Sequence, residues 1–353
     1  MAGYRKHYSL QSDLMFFKSI FQGTLHFGNS KTYEKVLRMY EHRVESYFKS
    51  GFIFNAEDIF NDQEFILNIP RNVSSITVKQ WKNTVNLLIY MAQFAISGNI
   101  GAWMTEEGKI LRYAWIEPKG DKAVVQEFLK GRKLLEQDGN IEKAQEALDR
   151  AIEIYNKHAQ AYERRGYVNF LLKKYHDAER DFTKSILIDQ SNAPAYYGRA
   201  RLKMFKEDWE GSLADLDQAV KTSLALQDIH WIARRLKAEC HIELGQFEKA
   251  EFELKYLTRR QFKKDSSNYP FQEISWFNYG KVLLELGKYE DALQAFDQVF
   301  LIEDGNENIS EADKLLYRGI ARKKCGRNGF IADWNEASKM GSKEAAERLE
   351  KTK

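Results

Sequence analysis

The feature that most constrains this 353-residue chain is a period. Tyr162, Gly166, Tyr175, Ala178, Phe182 and Ser185 recur 34 residues later as Tyr196, Ala200, Trp209, Ser212, Leu216 and Ala219. Each run has helical spacing, with a chain reversal before its second aromatic. A single helical hairpin of this size cannot hide its apolar face. Copies must therefore stack into a continuous core, and roughly three or more are needed for stability. The small residues are expected where the two antiparallel helices approach, Gly166 or Ala200 on the first facing Ala178 or Ser212 on the second, because bulk there would push the helices apart. Tyr175 and Trp209 are expected to fill the wedge between neighbouring copies.

Four less regular copies follow the same logic. Phe128, Gly131, Gly139, Ile141, Ala144, Leu148 and Ala151 form one upstream, with about one extra residue before its turn. Ala238, Gly245, Phe247, Ala250 and Leu254 form a fourth, and Trp276, Gly280, Gly287, Tyr289, Ala292 and Phe296 a fifth. The steps from Ser212 to Ala250 and on to Ala292 are 38 and 42 residues, so insertions separate these copies, the largest expected over 256–272. Leu315, Gly319, Gly326 and residues 332–341 make a shortened last copy. The period and residue order resemble the tetratricopeptide repeat family over residues 123–353. The resemblance implies a mainly α fold, an α-α superhelix of helical hairpins over about 125–158, 159–192, 193–226, 231–264, 273–306 and 312–341. Charged residues 342–353 would form a C-terminal capping helix.

Residues 1–122 lack the period and read as a small α+β N-terminal domain of unknown function. Tyr33, Val36, Leu37, Tyr40, Val44, Tyr47 and Phe48 fall at helical spacing after Ser30, which can cap the first turn. Trp81, Val85, Leu88, Ile89, Ala92 and Ile96 mark a second helix, with Gly98 placed to end it. Between them, 64–69 reads as a short strand stopped by Pro70. Residues 100–104 and 109–116 flank Thr105-Glu106-Glu107-Gly108, a hairpin with Gly108 at the positive-φ position. Pro118-Lys119-Gly120-Asp121 then punctuates the change to repeats.

Charge narrows the function. Lys plus Arg number 54 against 51 Asp plus Glu, divided 15 to 12 in residues 1–122 and 39 to 39 beyond, so no large basic field drives nonspecific nucleic-acid binding. Cys240 and Cys325 are isolated, which fits a reducing cytoplasm better than a disulfide scaffold. Gln11, Ser12, Asp13 and Lys18 interrupt the apolar run a signal peptide needs. The most apolar stretch, 85–96, falls short of the roughly 20 residues of a membrane span, so no membrane insertion is expected.

The motifs for chemistry are weak. Histidines at 7, 26, 42, 158, 176, 230 and 241 show no ligand spacing, and Glu57, Asp58, Asp62 and Glu64 lack the order of a calcium loop, so neither metal nor cofactor is expected. Gly23 to Thr32 places glycines before Lys31-Thr32 in the manner of a phosphate loop. Two residues separate Gly28 from Lys31, however, and no clear buried strand precedes, so a helix-capping turn is expected. No nucleophile elbow or catalytic cysteine signature is present.

In the resembled family the first helix of each repeat lines a concave face that sets partner choice. Those positions here are Glu163, Tyr167, Phe170 and Leu171, then Tyr197, Arg201, Met204 and Phe205, then Arg235, Glu239 and Ile242, then Phe277, Lys281 and Leu284. Such a mixed surface suits a peptide or partner helix, unless several of these residues pack internally. The family's clamp for chaperone tails is not matched, because Leu129 and Lys133, Pro194 and Gly198 stand where its basic and amide residues would. Two basic clusters, Lys255-Arg259-Arg260-Lys263-Lys264 and Arg318-Arg322-Lys323-Lys324-Arg327, could attract RNA or an acidic peptide, although exposed charge usually only keeps a helix face wet. The resulting expectation is a cytoplasmic, non-catalytic adaptor or scaffold for protein–protein interaction, with a protein or peptide partner of unknown identity. The alternatives are an RNA- or ribosome-associated repeat protein, and an enzyme with its site between the N-terminal domain and the first repeat.

Overall fold

The structure, a computed structural model, describes residues 15–47, 51, 53–137, 140–302 and 309–352. His7, Gln11, Ser12, Asp13, Phe48, Gly139 and the last residue of the proposed capping segment lie outside them. The chain divides into two compact units, residues 1–192 and 193–353.

The first unit opens with β1 (Phe16–His26), α1 (Ser30–Tyr47), α2 (Ala56–Ile59), β2 (Phe60–Asn61), β3 (Ile66–Thr77), α3 (Val78–Ala92), β4 (Ser97–Glu106) and β5 (Lys109–Ile116). The strands form one antiparallel sheet in the order β2-β3-β1-β4-β5. This is the connectivity of a split βαββαβ unit with an extra strand at one edge. Phe21, Leu25, Ile69, Ala102 and Met104 point to one face, where Val36 and Tyr40 of α1 and Trp81, Leu88 and Met91 of α3 bury them. The large aliphatic and Phe side chains among them contribute roughly 1.5–3 kcal/mol each by leaving water.

Four local expectations change. Strand β1 precedes the glycine-rich stretch and was not foreseen, because Phe16 and Ile20 point outward while Ser19 points inward, which erases the period-two alternation. Pro70 does not stop β3. The register passes from Phe21 opposite Asn72 to Gly23 opposite Ile69, so Pro70 and Arg71 sit together at a bulge where the missing N–H breaks no ladder bond. The second helix ends at Ala92, and Gly98 lies inside β4 at φ +94, where an added Cβ would come 2.1 Å from the Thr24 carbonyl oxygen. Asn29 rather than Ser30 caps α1, its side-chain oxygen accepting from Thr32 N at 2.9 Å. The hairpin has a two-residue turn, Glu107 and Gly108 at φ 48 and 78.

The same unit continues with α4 (Ala123–Leu135), α5 (Ile141–Ile154), α6 (Ala159–Leu171) and α7 (Tyr175–Ile188). Arg132 on α4 makes a bidentate bridge to Glu117 at 2.8 and 3.0 Å, just beyond β5. His26 at the end of β1 meets Tyr155 across 3.3 Å, and His158 packs tilted against Phe128 with ring centroids 4.6 Å apart. Burial, with His26 nearby, pushes the His158 imidazole down to about 3.

The second unit holds α8 (Ala193–Phe205), α9 (Trp209–Thr222), α10 (Asp228–Glu243), α11 (Phe247–Arg259), a single 3-10 turn (Tyr269–Phe271), α12 (Gln272–Glu285), α13 (Tyr289–Val299), α14 (Glu311–Lys324), α15 (Phe330–Lys339) and α16 (Lys343–Glu350). The expected insertion over 256–272 shortens at its start, since α11 runs on to Arg259. Asp228 pins the loop that follows, accepting from both Ser266 and Ser267 hydroxyls. Ser212 does meet the first helix at Ala200, its hydroxyl donating to the carbonyl at 3.1 Å. The expected facing of Gly166 and Ala178 shifts by one turn. Gly166 opposes the Phe182 ring, as Gly131 opposes Leu148, Gly280 opposes Phe296 and Gly319 opposes Trp334. The small residue of the first helix thus makes room for the large apolar residue of the second.

Candidate partner-binding face

Within the second unit α8 touches α10, and α12 touches α14, so first helices of neighbouring hairpins lie side by side. Three local groups of side chains lie on these first helices. On α8, the Arg201 guanidinium sits 5.7 Å over the Tyr197 ring, Met204 is half-buried, and Phe205 is 60% exposed. On α10, Arg235 donates to Glu239 at 2.8 Å and lies 4.0 Å over the Phe271 ring. Burial pushes the Glu239 carboxyl up against the pull of Arg235. On α12, Lys281 lies 5.3 Å from the Tyr317 ring. Phe277, expected on this face, is instead packed between Phe296 and Tyr317 at 5.8 and 5.3 Å and belongs to the core. Phe271 and Tyr317, which complete two of these groups, were missed because they fall outside the positions the repeat register assigns to the groove.

In the first unit α6 presents Tyr167 and Phe170 half-buried, Phe170 leaning on Tyr175 at 5.9 Å. Glu163 is buried beside Arg164 at 3.2 Å, and its carboxyl is pushed up by desolvation.

A buried ion-pair ladder, also missed, orients these first helices. Arg165 pairs with Asp181, Arg199 with Asp215, Arg234 with Glu253 and Arg318 with Asp333, at 2.5 to 2.7 Å. The four carboxylates are all buried. In the Arg165, Arg199 and Arg318 pairs the fork is bidentate, which locks the rotation of one helix against the other. Its signal was in the sequence: Arg165 and Arg199, and Asp181 and Asp215, are each one period apart.

The two basic clusters fare differently. Arg259, Lys263 and Lys264 are exposed, and Arg260 reaches back over Trp231 at 5.3 Å. In the other, Arg318 and Arg322 both bridge Asp333, Lys323 lies 5.2 Å from Trp334, and Lys324 lies 5.5 Å from Tyr289. That cluster is largely spent on internal packing. Gly23 is a strand residue at the β1 bulge, and Gly28 abuts Ile96, so the phosphate-loop resemblance resolves into the Asn29 cap. Among the described residues no group of three or more His, Cys, Asp or Glu could hold a metal ion, and no helix is long and apolar enough to cross a membrane.

Known proteins match the same hairpins. The tetratricopeptide repeat profile fits residues 132–194, 197–266 and 274–306. Those residues are tetratricopeptide repeats. Among solved tetratricopeptide-like structures, YrrB, described as a TPR protein with an unusual peptide-binding site, aligns over 59% of this chain and 99% of its own, at 18% identity and a TM-score of 0.50. PilF of Pseudomonas aeruginosa aligns over 66% of this chain and 99% of its own, at 17% identity and a TM-score of 0.52. At such identities the likeness is one of fold. No curated protein matches this chain.

Proposed function

We propose that the chain is a cytoplasmic, non-catalytic adaptor whose first-helix face in residues 193–353 binds a peptide or helix of a partner protein. The observation that carries this is Tyr197, Arg201, Met204 and Phe205 on α8 and Arg235 and Glu239 on the adjoining α10, aromatic and arginine anchors on helices fixed by buried ion pairs. Aromatic and arginine side chains dominate interface energetics because they bring large contact area at little entropic cost. The peptide-binding site named for YrrB supports the same use of a tetratricopeptide fold. Free thiols at Cys240 and Cys325 fit a reducing compartment. Glu163 is buried and Glu239 half-buried beside arginines, which orders side chains for recognition, and no reaction is assigned to them.

The test is a comparative pull-down from native lysate with the full chain and an Arg201→Ala/Phe205→Ala variant, read by mass spectrometry and followed by titration of the recovered partner. A partner held by the first and lost at least tenfold by the second supports the reading. Equal retention by both sinks it.

A further inference from the structure

The sheet of the first unit has a second face, turned away from α1 and α3, and its chemistry is unusual. Antiparallel sheets with one packed face normally show polar residues on the other. Here Phe16 is 65% exposed, Tyr113 52% and Trp115 41%, all pointing outward. Their supports are built. Trp103 is buried beneath them, its six-membered ring folded over Gly101, where an added Cβ would lie 2.1 Å from it, and Tyr113 leans on Trp103 with centroids 5.6 Å apart. The Trp115 indole N–H donates to Glu117, whose charge Arg132 already neutralises.

The electrostatics point one way. By strand register, none of the outward positions of β1, β3, β4 and β5 is Asp or Glu, whereas Lys18 points outward on β1 and Arg71 at the β3 bulge donates to Gln22 at 2.9 Å. Glu117, at the border, is the paired carboxylate just described. Tyr113 and Trp115 stand two residues apart on one strand, about 6.8 Å, close to the step between bases in an extended single strand. Aromatic rings on a flat sheet stack unpaired bases and cannot reach bases inside a duplex, while nearby cations hold phosphates.

We propose that the exposed β5 side of this face, away from the end where α6 touches β4 and Tyr155 meets His26, binds single-stranded nucleic acid, with bases stacked on Tyr113 and Trp115 and the backbone running toward Lys18 and Arg71. The site is independent of the partner-binding face in residues 193–353, and either can fail without the other.

The experiment is fluorescence anisotropy with the full chain and three labelled probes: a single-stranded RNA of about ten nucleotides, DNA of the same sequence, and the corresponding RNA duplex. Salt is varied between about 50 and 200 mM. The expected result is binding of a single strand at least tenfold tighter than the duplex, with the RNA-to-DNA ratio showing which of the two is preferred. Tyr113→Ala/Trp115→Ala loses tenfold or more, Tyr113→Phe/Trp115→Phe keeps most of the affinity, and Lys18→Ala lowers the salt slope by about one. Thermal melts check that the variants stay folded, which their exposed positions favour. The proposal is overturned by absence of binding, by equal affinity for duplex, by full affinity in the double alanine variant, or by loss only in Arg259→Ala/Arg260→Ala. It is equally overturned if light scattering shows a dimer that the double alanine variant separates while no oligonucleotide binds, because the face then serves a second copy.

Discussion

The sheet of the first unit and the helical hairpins solve the same problem by opposite means. Each hairpin buries its apolar residues against elements adjacent in sequence, so one register repeated along the chain specifies nearly everything. The sheet joins β1 to β4 across some 80 residues, and its close approaches are fixed by backbone rather than by side-chain volume. Gly98 and Gly166 make the contrast concrete. A Cβ on Gly98 would strike the Thr24 carbonyl oxygen at 2.1 Å from a φ of +94, whereas one on Gly166 would meet the edge of the Phe182 ring at 2.9 Å with helical φ. A ring can shift and a paired strand cannot. Gly98→Ala should therefore destabilise the first unit by about 3 kcal/mol or more, combining backbone strain with a clash, and Gly166→Ala by about 1 kcal/mol. Urea unfolding of both variants measures the gap; equal losses would break the distinction.

That distinction also explains what could be read from the sequence. The hairpins were legible because Tyr162, Gly166, Ala178 and Phe182 each have a partner one period on. Strand β1 was not, because Phe16 and Ile20 make its outer face as apolar as its inner one. Pro70 misled because proline halts a strand only where a ladder bond is needed, and the bulge opposite Gln22 removes that need. At the candidate site, Tyr197, Arg201 and Glu239 were nominated by register alone. Phe277 sits in the same register, yet Tyr317 of the following hairpin closes over it, a contact no single-repeat pattern contains.

A second way to sharpen the comparison is through the ion-pair ladder, which replaces close backbone approach as the orienting device of the hairpins. Asp215 is buried and holds both Arg199 and Lys203, at 2.6 and 2.8 Å. Asp215→Ala leaves two cations short of their partner, and the expected loss is about 2–4 kcal/mol, below the full buried-pair figure because both cations keep some water contact. The pair Arg327 and Glu290, at 3.4 Å with both side chains more than half exposed, should contribute little when Glu290→Ala breaks it. Thermal melts of the two variants separate orienting bridges from decorative ones.

The first unit carries a pH liability at the joint of its sheet and helices. The buried His158 imidazole titrates near 3 and that of His26 is also lowered, both chiefly by burial. Because the folded-state pKa lies below the unfolded value, the neutral form is favoured by folding. Stability is complete above about pH 6.5 and declines as the unfolded state gains its proton below that, by roughly 2 kcal/mol at pH 5 from His158. His158→Asn keeps an acceptor for Ala161 N, which His158 now supplies at 3.3 Å, and removes the titration. Melting points of wild type and variant at pH 7.5 and pH 5 should converge at the lower pH; a constant offset would show that the histidine is not what titrates.

The smallest expected effect lies in the turns between paired helices, where the hairpins depart from their own rule. Gly245, Gly287 and Gly326 close three of these turns at φ 66 to 72. The equivalent slots in the other two hairpins of the regular period hold Lys173 and Glu207 at φ 59 and 60. A left-handed conformation costs a residue with a Cβ about 1 kcal/mol relative to glycine, offset in part by the greater freedom glycine has when unfolded. Lys173→Gly and Glu207→Gly should each stabilise by roughly 0.5 kcal/mol, a shift that denaturant midpoints resolve. If either variant destabilises instead, the side chain there makes contacts worth more than the strain, and the two hairpins that define the period most clearly would owe part of their stability to turns the period does not encode.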